Sequence, residues 1–176
     1  MTVVTDHQER NGGGRTVYFL TLAAAVVWLA FIFLAPYLKS RGDAAPAAFI
    51  YAVYANVCHQ IPSRSFHLAG RPLAVCGRCL GIYSGLLAGL LALPLVRRFP
   101  IPPLPRQRTF IFVSLPVAVD SLAGLLGIWR SPIGVRFLTG LVWGGLFPGF
   151  LLPGLRGLLT LARPLTDRLR LTSRKT

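Results

Sequence analysis

All three cysteines and two of the three histidines fall within residues 58–85, CHQIPSRSFHLAGRPLAVCGRCLGIYSG. In Cys76-Gly77-Arg78-Cys79 the spacing lets two sulfurs reach one tetrahedral ion. Cys58 could add a third thiolate, and His59 or His67 a nitrogen, to give a Cys3His set for zinc or another transition metal. The candidate metal ligands are therefore Cys58, His59, Cys76 and Cys79. Side chains of adjacent residues diverge, so Cys58 and His59 could also serve separately. Cys79 precedes Leu80 rather than a histidine, so this is not a c-type haem site.

The same residues support a redox reading. Cys-x-x-Cys pairs cycle between dithiol and disulfide, and Arg78 and a helix N-terminus would each lower a thiol pKa. Cys58 would then be a third, exchanging thiol. A structural reading, with buried inert cysteines or one disulfide, stays open beside these two. Three cysteines cannot all pair within the chain, which excludes a fully disulfide-stapled scaffold.

Asp120 forms the second constellation. A carboxyl group within an apolar helix is costly in a bilayer and calls for a partner inside the bundle. Arg78 and Arg136 are the candidates, because both helices begin on the cysteine side. Arg64, Ser65 and Arg71 could add an anion site near the cysteines. The chain has no HExxH zinc-protease pattern and nothing resembling a nucleotide site or a Ser-His-Asp set.

These residues need elements to hold them. The chain has 176 residues, 53% hydrophobic and 14% charged, with a net charge of +14. Its mean hydropathy is +0.59. Soluble domains carry about 25% charged residues. The arginines flank apolar runs rather than covering a polar face, which fits orientation signals around membrane helices and argues against a nucleic-acid partner. The lipid bilayer is the expected partner.

The expected fold is all-α, a polytopic helical membrane protein. It has about four transmembrane helices plus one short interfacial or re-entrant helix. Residues 1–15 are a flexible N-terminal tail and residues 16–155 the helical membrane domain. Spans lie near 17–38, 72–96, 109–129 and 135–155, each close to the roughly 20 residues that cross a bilayer core. The run at 17–38 is longer than a typical signal core and lacks a small-residue cleavage site, so it is read as a retained helix. A short helix at 46–60, opened by Pro46 and stopped by Pro62, delivers Cys58 and His59 at its end. Gly81, Gly85 and Gly89 recur every four residues, which suits close packing against another helix or, as a homo-oligomer, against a second copy. Pro116 is expected to kink the third span. Residues 156–176 form a basic cytoplasmic tail.

Orientation follows from Lys and Arg counts near the spans. With four spans, the N-terminal tail, the second loop and the C-terminal tail share one side and hold twelve of these residues, against seven on the other. Four arginines lie within residues 97–108 alone. Both termini are then cytoplasmic in an inner-membrane, multi-pass protein. The cysteine site faces outward, where disulfides persist.

The sequence also resembles a family of bacterial and archaeal integral membrane proteins, domain of unknown function 2085. The resemblance rests on Cys58-His59-Gln60, Arg64-Ser65-Phe66 and Cys76-x-Arg78-Cys79-x-Gly81-Ile82-Tyr83-x-Gly85. It continues through Pro116-x-x-x-Asp120 and Arg136-x-x-Thr139-Gly140, covering roughly residues 50–145. One departure is Ser131-Pro132, where the family pattern has Ser followed by Asn, so the resemblance carries no polar contact in that turn over to this chain. It supports the choice of site residues and the helical bundle and implies no mechanism. Two functions follow from the residues: a metal-binding or thiol-redox membrane protein, or a non-catalytic membrane subunit or small carrier with structural cysteines.

Overall fold

A computed structural model describes residues 2–96, 107–128 and 131–158. The expected loop at 97–108 and the basic tail therefore lie mostly outside the described residues. The described chain is mainly helical. Helix α1 spans Thr2–Arg41, α2 Ala44–Ala55, α3 Gly77–Val96, α4 Gln107–Leu125 and α5 Ile133–Leu146. Helix α6 spans Pro148–Leu158. A 3-10 turn at Pro62–Arg64 and an antiparallel pair, β1 His67–Leu68 with β2 Arg71–Pro72, fill the loop before α3.

Helix α1 begins at Thr2, so most of the residues expected as a flexible tail continue the helix. Once an apolar helix is nucleated, each added residue gains a hydrogen bond without a new nucleation cost. Basic Lys39 and Arg41 fill its last turn. Gly42 then takes a φ of +94°, and the Asp43 amide returns to the Leu38 carbonyl at 3.1 Å. This is the left-handed stop that glycine makes without a Cβ penalty.

Helix α2 folds back on α1 and buries Ala47, Ile50 and Tyr54, a stripe at helical spacing. The Tyr54 hydroxyl donates to the Trp28 carbonyl at 2.5 Å, and the two rings lie 4.7 Å apart. Burial pushes the Tyr54 hydroxyl up to about 12, so it stays a donor at neutral pH. The helix ends at Ala55, short of the expected 60. Gln60 adopts a φ of +50°, a conformation no right-handed helix continues.

Helix α3 starts at Gly77 rather than at residue 72, because Pro72 belongs to β2. The Tyr51 hydroxyl holds it there, donating to the Pro72 carbonyl at 2.5 Å. From Gly77 onward α3 packs most extensively against α5. An added Cβ at Gly81, Gly85 or Gly89 would overlap the carbonyl oxygens of Phe137, Leu141 and Gly145. In return, a Cβ at Gly140 or Gly144 would overlap those of Arg78 and Ile82. The glycine face thus meets an internal partner helix, α5, with backbone against backbone.

Helix α4 continues through Pro116 as one 19-residue element. It ends at a second left-handed glycine, Gly127, with φ +73°. Its attachments to α5 include Trp143 Nε1, which donates to Ser114 Oγ at 2.9 Å, and the Phe110 and Trp143 rings 6.3 Å apart. Helices α5 and α6 meet at a 43° bend, beside Pro148, which has no amide hydrogen to continue the ladder.

Among the described residues, Gly14–Arg41 and Gly77–Leu95 are long and apolar enough to cross a membrane. Counting α5 and α6 as one bent span makes three. Only 22% of each of the two apolar windows is buried within the chain. Leu20, Phe49, Leu95 and Phe112 are 67%, 71%, 88% and 74% exposed. An apolar surface of this extent suits a lipid environment.

Candidate metal centre and the ion-pair cluster beside it

Two segments bring the cysteines together. Cys58 follows α2, and its amide still donates to the Tyr54 carbonyl at 2.9 Å. The Gln60 side-chain amide donates to the Tyr51 carbonyl at 2.7 Å and to the Ala74 carbonyl at 2.9 Å. That clamp ties the turn after α2 to the segment before α3, and it explains why Gln60 holds an uncommon backbone conformation. The Cys76 amide donates to Cys58 Sγ at 3.2 Å. Cys76 sits immediately ahead of α3, its carbonyl accepting from the Leu80 amide at 2.9 Å, and Cys79 lies in the first turn.

The three Sγ atoms lie within 4.8 Å of one another, and no disulfide links them. Cys58 is buried, whereas Cys76 and Cys79 are half-buried. Hydrogen bonds from Cys58 and then Cys79 hold the Cys76 thiol well below the usual thiol range, against the opposing effect of burial. Leu73, Ala74 and Val75 pack with Ile32, Tyr54 and Leu80 around the cluster.

His59 is exposed and stands outside this group, as does exposed His67 on β1. The positive φ at Gln60 turns the chain just after Cys58, and the adjacent side chains part. Among the described residues the converging ligand set is three cysteines with no fourth His, Cys, Asp or Glu.

Arg78, Asp120 and Arg136 form a second cluster, joined through Ser131, while Ser65 Oγ donates to the Ile61 carbonyl and Arg71 is exposed on β2. Asp120 pairs with Arg78 Nη2 through one carboxylate oxygen and accepts from Ser131 Oγ through the other. Arg78 Nη1 donates to Ser121 Oγ at 2.5 Å. Arg136 is 6% exposed, and its Nε donates to the Ser131 carbonyl at 3.0 Å. Of the two proposed partners, Arg78 therefore takes the ion pair, and Arg136 joins through Ser131. Arg64 closes the 3-10 turn, half-buried, and its carbonyl lies 3.5 Å from where a Cβ on Gly77 would stand.

The sequence reading gave no role to Gln60, Ser121 or Ser131, although Gln60 and Ser131 stand in segments that the family resemblance singled out. Ser121 follows Asp120 directly, the one local hint of a polar face on α4. The turn at Ser131 does make a polar contact, supplied by the serine itself while Pro132 fills the next position. Beyond its place in the Cys58-His59-Gln60 step, nothing in the spacing announced the role of Gln60, because that role depends on where Ala74 lies.

Comparisons with known proteins agree on kinship. A family described as predicted membrane protein (DUF2085) matches residues 58–148, which includes every cysteine and both clusters. An uncharacterized protein of Methanocaldococcus jannaschii is 35% identical over 141 residues, covering 77% of this chain and 90% of that protein. An uncharacterized protein of Methanothermobacter thermautotrophicus is 34% identical over 91 residues, covering 50% of this chain and 78% of its own length. No solved structure matches. With that span of the family and that coverage of a relative, the chain belongs to the DUF2085 family of predicted membrane proteins.

Proposed function

We propose that this protein is a multi-pass inner-membrane protein that binds a thiophilic transition metal, zinc first, through Cys58, Cys76 and Cys79 at the extracytoplasmic face. The convergence of three sulfurs within 4.8 Å carries the reading. Tetrahedral zinc with Zn–S bonds of about 2.3 Å spaces its sulfurs about 3.8 Å apart. The observed cluster needs only a small contraction to reach that distance. Three thiolates suit zinc or copper(I) better than a hard ion. The fourth position is left to a ligand from outside the described residues, the arrangement of a site that exchanges ligands rather than a closed structural one.

In this reading α4 is the remaining span. Its 19 residues rise about 28 Å at 1.5 Å each. Ile111, Phe112, Leu115, Val119 and Leu122 leave an apolar face exposed. With α1, α3 and the bent α5–α6 pair it makes four spans, and the charge count puts both termini in the cytoplasm. A C-terminal reporter active only outside the cytoplasm would overturn that orientation.

The test of the metal site is elemental analysis of detergent-purified protein together with counting of free thiols. About one equivalent of zinc or copper, lost in the Cys76→Ser/Cys79→Ser variant, is the expected result. Metal-free protein that forms a reversible disulfide with a mild oxidant would move the site to thiol redox. Metal-free, unreactive thiols would leave the cysteines as structural ties between α2 and α3 in a non-catalytic subunit or carrier.

A further inference from the structure

The cluster beside the cysteines carries more positive charge than it answers. Ser131 joins Arg136 to the Arg78–Asp120 pair, and Arg64 stands beside them: its carbonyl and Ile133 both lie against Gly77, and Phe66, two residues on, packs edge-on against Phe137 at 5.8 Å. Asp120 supplies one negative charge and is engaged by Arg78. Among the described residues Arg64 and Arg136 have no carboxylate partner.

The hydrogen bonds identify which groups are free. Arg136 is 6% exposed, yet among the described residues its one hydrogen bond is from Nε to the Ser131 carbonyl. Its two Nη nitrogens, with four N–H donors, have no partner there. The Arg64 side chain likewise makes no hydrogen bond or ion pair among the described residues. Arg78 Nε is buried with no partner. The Nη atoms of Arg136 are not among the fully buried unpartnered atoms, so that edge keeps access from outside, as a binding site requires. The Ser131 carbonyl fixes the orientation of the Arg136 plane, which preorganises the free edge.

We infer that Arg136 and Arg64 bind a phosphate-type oxyanion beside the cysteine cluster. A guanidinium edge presents paired N–H donors that match two oxygens of a phosphate. Two such groups offer more donors than one carboxylate accepts, whereas a phosphate group presents three or more acceptor sites. Arg78, already neutralised by Asp120, acts as the positioning residue that keeps Asp120 from capturing Arg136. The oxyanion belongs either to a free phosphate or to the headgroup of a lipid. The site does not depend on a bound metal.

The experiment uses the full chain in a neutral detergent after chelator treatment. Inorganic phosphate and short-chain phosphatidic acid are titrated separately by calorimetry, with short-chain diacylglycerol as the control. Binding of both anions assigns the site to soluble oxyanions, and binding of phosphatidic acid alone assigns it to a lipid headgroup. In either case Arg136→Gln should weaken binding by about tenfold to a hundredfold, the range carried by hydrogen bonds to charged groups. Arg136→Lys, which keeps the charge and loses the fork, should fall between. Arg64→Gln, in a surface turn, tests the site without touching the helix interface and should also weaken binding about tenfold. Unchanged circular dichroism keeps these losses separate from unfolding. If neither anion binds the folded wild type, or if folded Arg64→Gln and Arg136→Lys bind as the wild type does, the inference is wrong.

Discussion

Helix α3 meets α5 and α4 in opposite ways. Against α5 it presents glycines, and each helix sets its backbone into the other. Against α4 it presents a charged side chain, with Arg78 reaching Asp120 and Ser121. The first seam works by leaving side chains out, as small residues do between membrane helices. The second works by placing two polar residues where a bilayer would penalise either alone. A backbone seam fixes distance and register and tolerates no added atom. A side-chain seam fixes chemistry and can be exchanged for another pair of matched groups.

The largest expected effect breaks the backbone seam. A side chain at Gly144 would stand against the Ile82 carbonyl and backbone. Neither neighbour can rotate away, so Gly144→Val should cost at least the roughly 3 kcal/mol at the upper end of overpacking. Size-exclusion chromatography in detergent should show loss of the monodisperse species. A folded Gly144→Val protein with unchanged thermal stability would mean that α3 and α5 do not pack this closely.

The next effect separates the two seams. Asp120→Ala leaves Arg78 buried without its counter-charge and should cost about 3 kcal/mol, the lower end for a broken buried pair. The double variant Arg78→Met/Asp120→Leu should recover most of that loss, since matched apolar groups often replace a buried pair at little cost. Thermal unfolding midpoints of the three proteins check this. A double variant no more stable than Asp120→Ala would show that the charges themselves hold the helices. No substitution of comparable type should rescue Gly144→Val.

The smallest effect concerns the second attachment of α4. Trp143→Phe keeps the ring against Phe110 and removes the donor to Ser114. A single hydrogen bond of this kind is worth about 1 kcal/mol. The midpoint should shift slightly, and Ser114→Ala should shift it by a similar amount without adding to the first. A large shift would make this contact, rather than the ion pair, the main tie between α4 and the bundle.

Much of this was legible in the chain. The four-residue spacing of Gly81, Gly85 and Gly89 announces a close-packing face, although Gly140 and Gly144 at the same spacing show their purpose only across the interface. An acid among apolar residues announces a buried partner, and two arginines at helix starts narrow the choice. The expected helix through residue 60 fails because Gln60 answers to two carbonyls, one fourteen residues away in sequence, rather than to its local propensity.

The division has a physical basis. Hydropathy and helical spacing are local properties, so the sequence by itself determined that the chain is apolar and helical and where its thiols and charges lie. Convergence depends on how far and at what register helices approach. Tertiary structure alone decided that Cys58 meets Cys76 and Cys79 while His59 does not. It also decided that Arg78 rather than Arg136 pairs with Asp120, because the glycine seam sets the height of α5 against α3 and with it the reach of every side chain at that junction.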